Sequence, residues 1–183
     1  MIGWILLGLI VFAVIAFVSI YNSLVTLREN VRNGWSQIDV QLKRRHDLIP
    51  NLVETAKGYI SHERGTLEAV IKARQQAVNA TSIKDKQEAE NFLSGTLRSL
   101  FAVAENYPNL KADTQMRQLH EELTSTENKI AFARQYYNDE VNRLNVAIQS
   151  FPSNIVAQVG GFQKSEFFGI AEATERDAPK VQF

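Results

Sequence analysis

Residues 113–152 read DTQMRQLHEELTSTENKIAFARQYYNDEVNRLNVAIQSFP, and this stretch decides the fold. Its apolar and small residues fall at Met116, Leu119, Leu123, Thr126, Ile130, Ala133, Tyr137, Val141, Leu144, Ile148 and Phe151. The steps are three and four in near-strict alternation, which is a heptad seam on one face of a helix. Asp113 or Thr114 starts the helix and Phe151-Pro152 ends it. At 1.5 Å per residue its roughly 38 residues extend about 57 Å. A seam of that length requires helical partners of similar extent.

Upstream, the same spacing recurs. Phe92, Leu93, Leu97, Leu100, Phe101, Ala104 and Tyr107 mark a shorter helix. It stops at Tyr107-Pro108-Asn109, because the residue before proline avoids the α region. Asn79 to Ser82 reads as a turn, with Ser82 or Thr81 as a cap for that shorter helix. Before it, Leu52, Val53, Ala56, Ile60, Leu67, Val70, Ile71, Arg74 and Val78 keep helical periodicity, which predicts one helix of about 50 Å after Pro50. Ile20, Leu24, Leu27, Val31, Trp35, Ile38 and Leu42 form the stripe of an amphipathic helix ahead of Pro50. Proline inside a helix removes a hydrogen bond and crowds the preceding turn. No Gly, Ser or Asn between Val40 and Ile49 is available for a tight reversal, so the expectation is a kink. Short connections make sequential helices antiparallel neighbours. There is no period-two strand run.

Residues 153–183 differ. Gly160-Gly161 and Gly169 interrupt them, and Phe162, Phe167, Phe168 and Phe183 lack helical spacing. The expectation is a tail partly docked on the bundle.

The N-terminus, MIGWILLGLIVFAVIAFVSIY, has no charged side chain from Ile2 to Val18. About 20 helical residues span a hydrocarbon core of roughly 30 Å. Only a helix satisfies its own backbone in lipid. No Lys or Arg precedes the run and it is long for a signal peptide, so it reads as a retained anchor. Arg28 and Arg32, then Lys43, Arg44 and Arg45, come after the run. The positive-inside rule therefore puts the N-terminus outside and the bundle in the cytoplasm. Trp4 and Tyr21 sit near the two headgroup levels.

The chain has 183 residues, with 20 Lys plus Arg against 20 Asp plus Glu. No net field draws in nucleic acid. The lack of cysteine excludes disulfides, thiolate zinc sites and a cysteine nucleophile. His46, His62 and His120 each precede an acid. Lys43, Tyr59 and Arg117 stand three residues earlier, so no Glu-x-x-His pair forms. The histidines read as solvated. His46-Asp47 ahead of Pro50 has a partial likeness to a phosphoacceptor histidine, without a nucleotide site to serve it. No triad or phosphate-cradling glycine loop is visible. Lys43, Arg44, Arg45 and His46 form the one dense basic cluster. They are candidate partner contacts, or a plainly solvated face.

Tyr21-Asn22-Ser23-Leu24-Val25 and the run from Gly34-Trp35-Ser36-Gln37-Ile38-Asp39 through Lys43-Arg44-Arg45-His46-Asp47-Leu48-Ile49-Pro50-Asn51-Leu52-Val53 closely resemble the LemA family. The likeness extends through Thr55 to Glu63, Tyr107-Pro108-Asn109-Leu110-Lys111-Ala112, Thr126-Glu127, Ala133-Arg134-Gln135-Tyr136-Tyr137-Asn138, Phe151-Pro152-Ser153-Asn154 and Gly161-Phe162. Gly34 stands where the family commonly has alanine. The resemblance implies a bacterial single-pass membrane protein with an outer N-terminus and an antiparallel helical bundle. It supplies no catalytic residues. Its members are often encoded beside membrane proteases or other envelope proteins.

These readings converge on an all-α chain: a transmembrane anchor over 1–21, an elongated antiparallel bundle of three to four long helices over 22–152, and a tail over 153–183. The expected function is a non-enzymatic scaffold or interaction protein of the inner membrane, with a sensory module acting through Pro50 as the alternative. The expected partners are the bilayer through residues 2–21, further copies of the chain, and an envelope protein or membrane protease. No catalytic, cofactor-binding or metal-binding residue is expected.

Overall fold

The computed structural model describes residues 1–60 and 62–169. Among them it contains six helices and no strand: α1 Ile2–Lys57, α2 Arg64–Asn79, α3 Ile83–Ala104, α4 Pro108–Ala112, α5 Thr114–Gln149 and α6 Ser153–Val159. The fold is all-α, as the spacing predicts. Contacts divide the chain into two compact units. One joins Met1–Asp39 with Phe132–Phe167; the other joins Val40–Ala131 with Phe168 and Gly169.

In the first unit, α1 and α5 run antiparallel. Asn30 Nδ2 donates to Glu140 Oε2 at 3.2 Å, and a Cβ on Gly34 would lie 3.1 Å from the Tyr137 Cα. Trp35 packs on Tyr137 with ring centroids 5.5 Å apart. A small core joins Leu24, Val156 and Ala157 with Ile20, Ala147, Ile148 and Phe162. None of the apolar side chains from Ile2 to Val18 is buried. This segment is long and apolar enough to cross a membrane.

α6 lies in the stretch that the sequence reading left as a partly docked tail, with no helix assigned to it. Seven residues are too few for a period to declare itself. Residues 162–166 then lie along α5. Asn145 Nδ2 donates to the Ser165 carbonyl and Ser165 N–H to Asn145 Oδ1, both at 2.9 Å. The Tyr137 hydroxyl donates to the Glu166 carbonyl at 2.8 Å. Burial, and then the Glu166 charge, push its phenol above the usual range. Phe168 is buried and the Gly169 N–H donates to Gln87 Oε1 at 3.1 Å, while residues 170–183, Phe183 included, lie outside the described residues.

The second unit packs the end of α1, α2, α3 and the start of α5 around one core. Ile49, Leu52, Val70, Ala73, Leu93, Leu100 and Leu110 in it are wholly buried. Ser82 caps α3 by accepting from the Asp85 N–H at 3.0 Å. Asp113 does the same for α5, accepting from the Met116 N–H at 2.8 Å. Its other oxygen accepts from the Tyr59 hydroxyl at 3.0 Å. The Met116 amide first, and then Tyr59, hold the Asp113 carboxyl below its usual range.

One detail departs from expectation. The predicted helix from Pro50 to Val78 is broken, with α1 ending at Lys57 and α2 beginning at Arg64. The apolar pattern hid the break because Ile60 stays fully buried within the turn. Periodicity records burial, and here a turn residue keeps the register of a helical one. Pro50, by contrast, lies inside α1, which remains helical through it. Proline leaves the carbonyl four residues earlier without its usual donor. That carbonyl belongs to His46, and Arg74 Nε donates to it at 2.7 Å from α2.

Candidate functional site

The densest polar constellation among the described residues lies inside the second unit. Arg45 and Glu90 are 1% and 0% exposed. Arg45 Nη2 pairs with Glu90 Oε2. Its Nη1 pairs with Glu127 and donates to Ser94 Oγ at 2.9 Å. The second Glu90 oxygen, Oε1, lies 2.8 Å from His46 Nε2. A carboxylate only accepts, so this ring nitrogen carries the proton. α1, α3 and α5 are thus tied through one guanidinium, while Arg74 ties α2 to the neighbouring His46 carbonyl.

Burial pushes the Glu90 carboxyl up. The His46 hydrogen bond and the Arg45 charge outweigh it and hold the carboxyl below its usual range. Glu90 is therefore anionic at neutral pH, and its oxygens are already engaged. This environment suits a structural ion pair better than a proton-transfer group, whose pKa would be tuned toward neutrality. Among the described residues, no three His, Asp or Glu side chains are placed to hold a metal ion.

The basic cluster divides accordingly. Lys43 and Arg44 are exposed, and Arg44 lies 4.0 Å from Glu122. Arg45 and His46 are buried, so neither belongs to a solvated face. Consecutive helical residues point about 100° apart, so Lys43, Arg44 and Arg45 cannot share one surface. His62 and His120 are exposed; His120 stands edge-on to Phe101 with centroids 4.3 Å apart. A groove of about 240 Å³ runs beside the ion pair, bordered by Arg45, Ser94, Phe101, His120 and Glu127.

A signal for the buried pair was present. Leu42, Arg45, Ile49 and Leu52 step by three, four and three, and so do Glu90, Leu93, Leu97 and Leu100. Both charges occupy core positions of apolar stripes. Residue type alone directs Arg45 to a surface, and singles out nothing at Glu90.

The chain is similar in sequence to known proteins. "Magnetosome protein MamQ 2" of Paramagnetospirillum magneticum is 24% identical over 86% of this chain and 69% of its own length. "Magnetosome protein MamQ" of Magnetospirillum gryphiswaldense is 23% identical over 89% and 71%. "Protein LemA" of Metamycoplasma hominis is 28% identical over 79% and 69%. The LemA family model matches residues 34–183, which include the α1 run around the ion pair and the whole of α2 to α6. The chain belongs to the LemA family.

Proposed function

We propose that the protein is a membrane-anchored, non-catalytic helical scaffold that works through protein contacts in the cell envelope. One observation carries this reading. α1 is a single helix whose first part is apolar and unburied and whose later part lines the folded core. An anchor continuous with the core holds the folded part at the membrane. The Arg45–Glu90 pair supports the non-catalytic part, since both Glu90 oxygens and both Arg45 Nη nitrogens are engaged within the fold.

The surface supports contact with other chains, further copies of this one included. Ile71 and Val78 on α2 and Phe92 on α3 are about half exposed. Phe92 borders a groove of about 660 Å³ lined by Gly65, Thr66, Ala69, Gly95, Thr96 and Ser99. Small residues let another backbone approach closely. Lys43 and Arg44 offer cations to an acidic partner. The distribution of Arg28 and Arg32 after the apolar run supports a cytoplasmic bundle and an outer N-terminus in the inner membrane.

A photo-crosslinking residue at Phe92 in intact membranes tests the reading. Recurrent products, either self-linked or to one envelope protein or membrane protease, are expected. Monomers alone would refute it. A reporter fused after Phe183 tests orientation, with activity expected from a cytoplasmic reporter.

The Arg74 bond to the His46 carbonyl favours one second reading, a signalling module acting at Pro50. Pro50→Ala restores an N–H that competes with Arg74 for that carbonyl. The variant should keep its fold and alter an envelope phenotype; an unchanged phenotype sinks this reading.

A further inference from the structure

The turn between α5 and α6 presents an apolar surface that none of the described residues covers. Phe151 is 81% exposed, Ile155 54% and Val159 72%. Ile155 and Val159 are one helical turn apart and share one side of α6, and Phe151 stands in the turn just before it. The opposite side of α6, Val156 and Ala157, is buried against Leu24. α6 is therefore apolar on two sides, with Asn154 and Gln158 between them. A helix of that kind is normally covered on both sides. Single exposed apolar residues are ordinary, but three in adjacent turns form a patch.

The occupant is given by position within the first unit. Asn30 faces Glu140 and Gly34 faces Tyr137 in the antiparallel register, and Leu24 shares its core with Ala147 and Ile148. Carried on by one turn, that register sets Phe151 level with Ile20 and Tyr21, where the apolar run of α1 ends. Tyr21 stacks edge-on against Phe162, centroids 5.6 Å apart, and lies against Gly160. Two cations stand nearby. Arg28 lies 5.4 Å from the Phe162 ring centre, and Lys164 Nζ donates to Gln149 Oε1 at 2.9 Å. Apolar side chains beside cations, level with the end of a membrane-spanning helix, match the chemistry of an interfacial lipid layer.

We propose that the α5–α6 turn and the outer side of α6 are a second membrane contact, with Phe151, Ile155 and Val159 seated in the headgroup and upper acyl region. The inference rests on the anchor reading of residues 2–21. It adds an arm that fixes the rotation and tilt of α1 as it leaves the bilayer. Interfacial helices seat their apolar side about 5–10 Å below the headgroup boundary, which three such side chains reach.

The absence of cysteine makes the test direct. Full-length F151C, I155C and V159C, with D139C and I10C as references, are labelled with an environment-sensitive fluorophore. They are reconstituted into phosphatidylcholine vesicles containing some phosphatidylglycerol. Quenching by spin-labelled lipid is compared with quenching by aqueous iodide. All five substituted positions are exposed, so folding is not at stake. The expected result is a several-fold higher lipid-to-iodide quenching ratio at 151, 155 and 159 than at 139, approaching that at 10. Iodide quenching at the three positions equal to that at 139, with 10 still lipid-quenched, overturns the proposal and leaves the anchor intact. Iodide access at 10 as well overturns the anchor reading and this proposal with it. Protection from both quenchers shows a protein seated on the patch, and overturns the lipid assignment.

Discussion

Arg45 and Glu90 show how much one misplaced charge costs in this fold. Removing one partner of a buried pair strands the other, at about 3–5 kcal/mol. Glu90→Ala is expected to lose that much on denaturant unfolding in detergent. Glu127 meets the same guanidinium, yet its side chain is 48% exposed. Solvent screening reduces such a pair to about 1 kcal/mol or less, so Glu127→Gln should be mild. A joint Arg45→Met, Glu90→Leu exchange is expected to cost less than Glu90→Ala, because apolar packing replaces the ion pair without stranding the guanidinium and leaves only the His46 ring N–H without its acceptor. If the joint exchange proves as damaging as Glu90→Ala, the cluster has a role beyond holding helices together. The pH dependence has a definite sign. The Glu90 carboxyl is held below its usual range in the folded state. Its contribution is complete above the unfolded glutamate pKa of about 4.3 and disappears as pH falls through the lower folded value. Glu90→Gln should flatten this acid limb of the stability profile.

Elements were legible where they were long and amphipathic. The α5 stripe from Met116 to Leu144 is buried at every expected position, and Ser82 caps α3. α6 and the turn after Lys57 were not legible. One is too short to show a period, and the other keeps a buried Ile60 in register. The ion pair was legible by position but not by residue type. Gly34 belongs to this scale as well. A Cβ there meets the Tyr137 Cα at 3.1 Å and the Tyr136 ring at 3.3 Å. Gly34→Ala gains up to about 1 kcal/mol of helix propensity, offset by a shift of a few tenths of an ångström between helices. It should lie within about 1 kcal/mol of the parent. Gly34→Leu places a branched side chain against another helix backbone, and overpacking of that kind costs about 1–3 kcal/mol. Thermal unfolding of both variants checks the contrast. Equal melting temperatures would show that α1 and α5 separate at little cost here.

At the scale of the whole molecule, the chain divides between what is buried in protein and what is not. Side chains 2–18 contribute nothing to the buried core, whereas Leu24 is already 1% exposed within it. Hydrophobic stabilisation scales with the area removed from water by folding, and this segment removes none within the chain. Deleting residues 1–18 should therefore leave the melting temperature of the remainder within a few degrees of the full chain. It should also move the protein from the membrane fraction to the aqueous one. Flotation on a density gradient and circular dichroism of the same preparation read both effects. The interfacial arm makes the outcome more specific. Three partly inserted side chains and two cations amount to a weak, reversible attachment, far short of a spanning helix. The truncated chain should bind anionic vesicles measurably at low salt and release them as ionic strength rises. Exchanging Phe151 and Val159 for serine should abolish the residual binding. A large fall in melting temperature on truncation would mean that the apolar segment folds back onto the bundle, and its role as an anchor would then be lost.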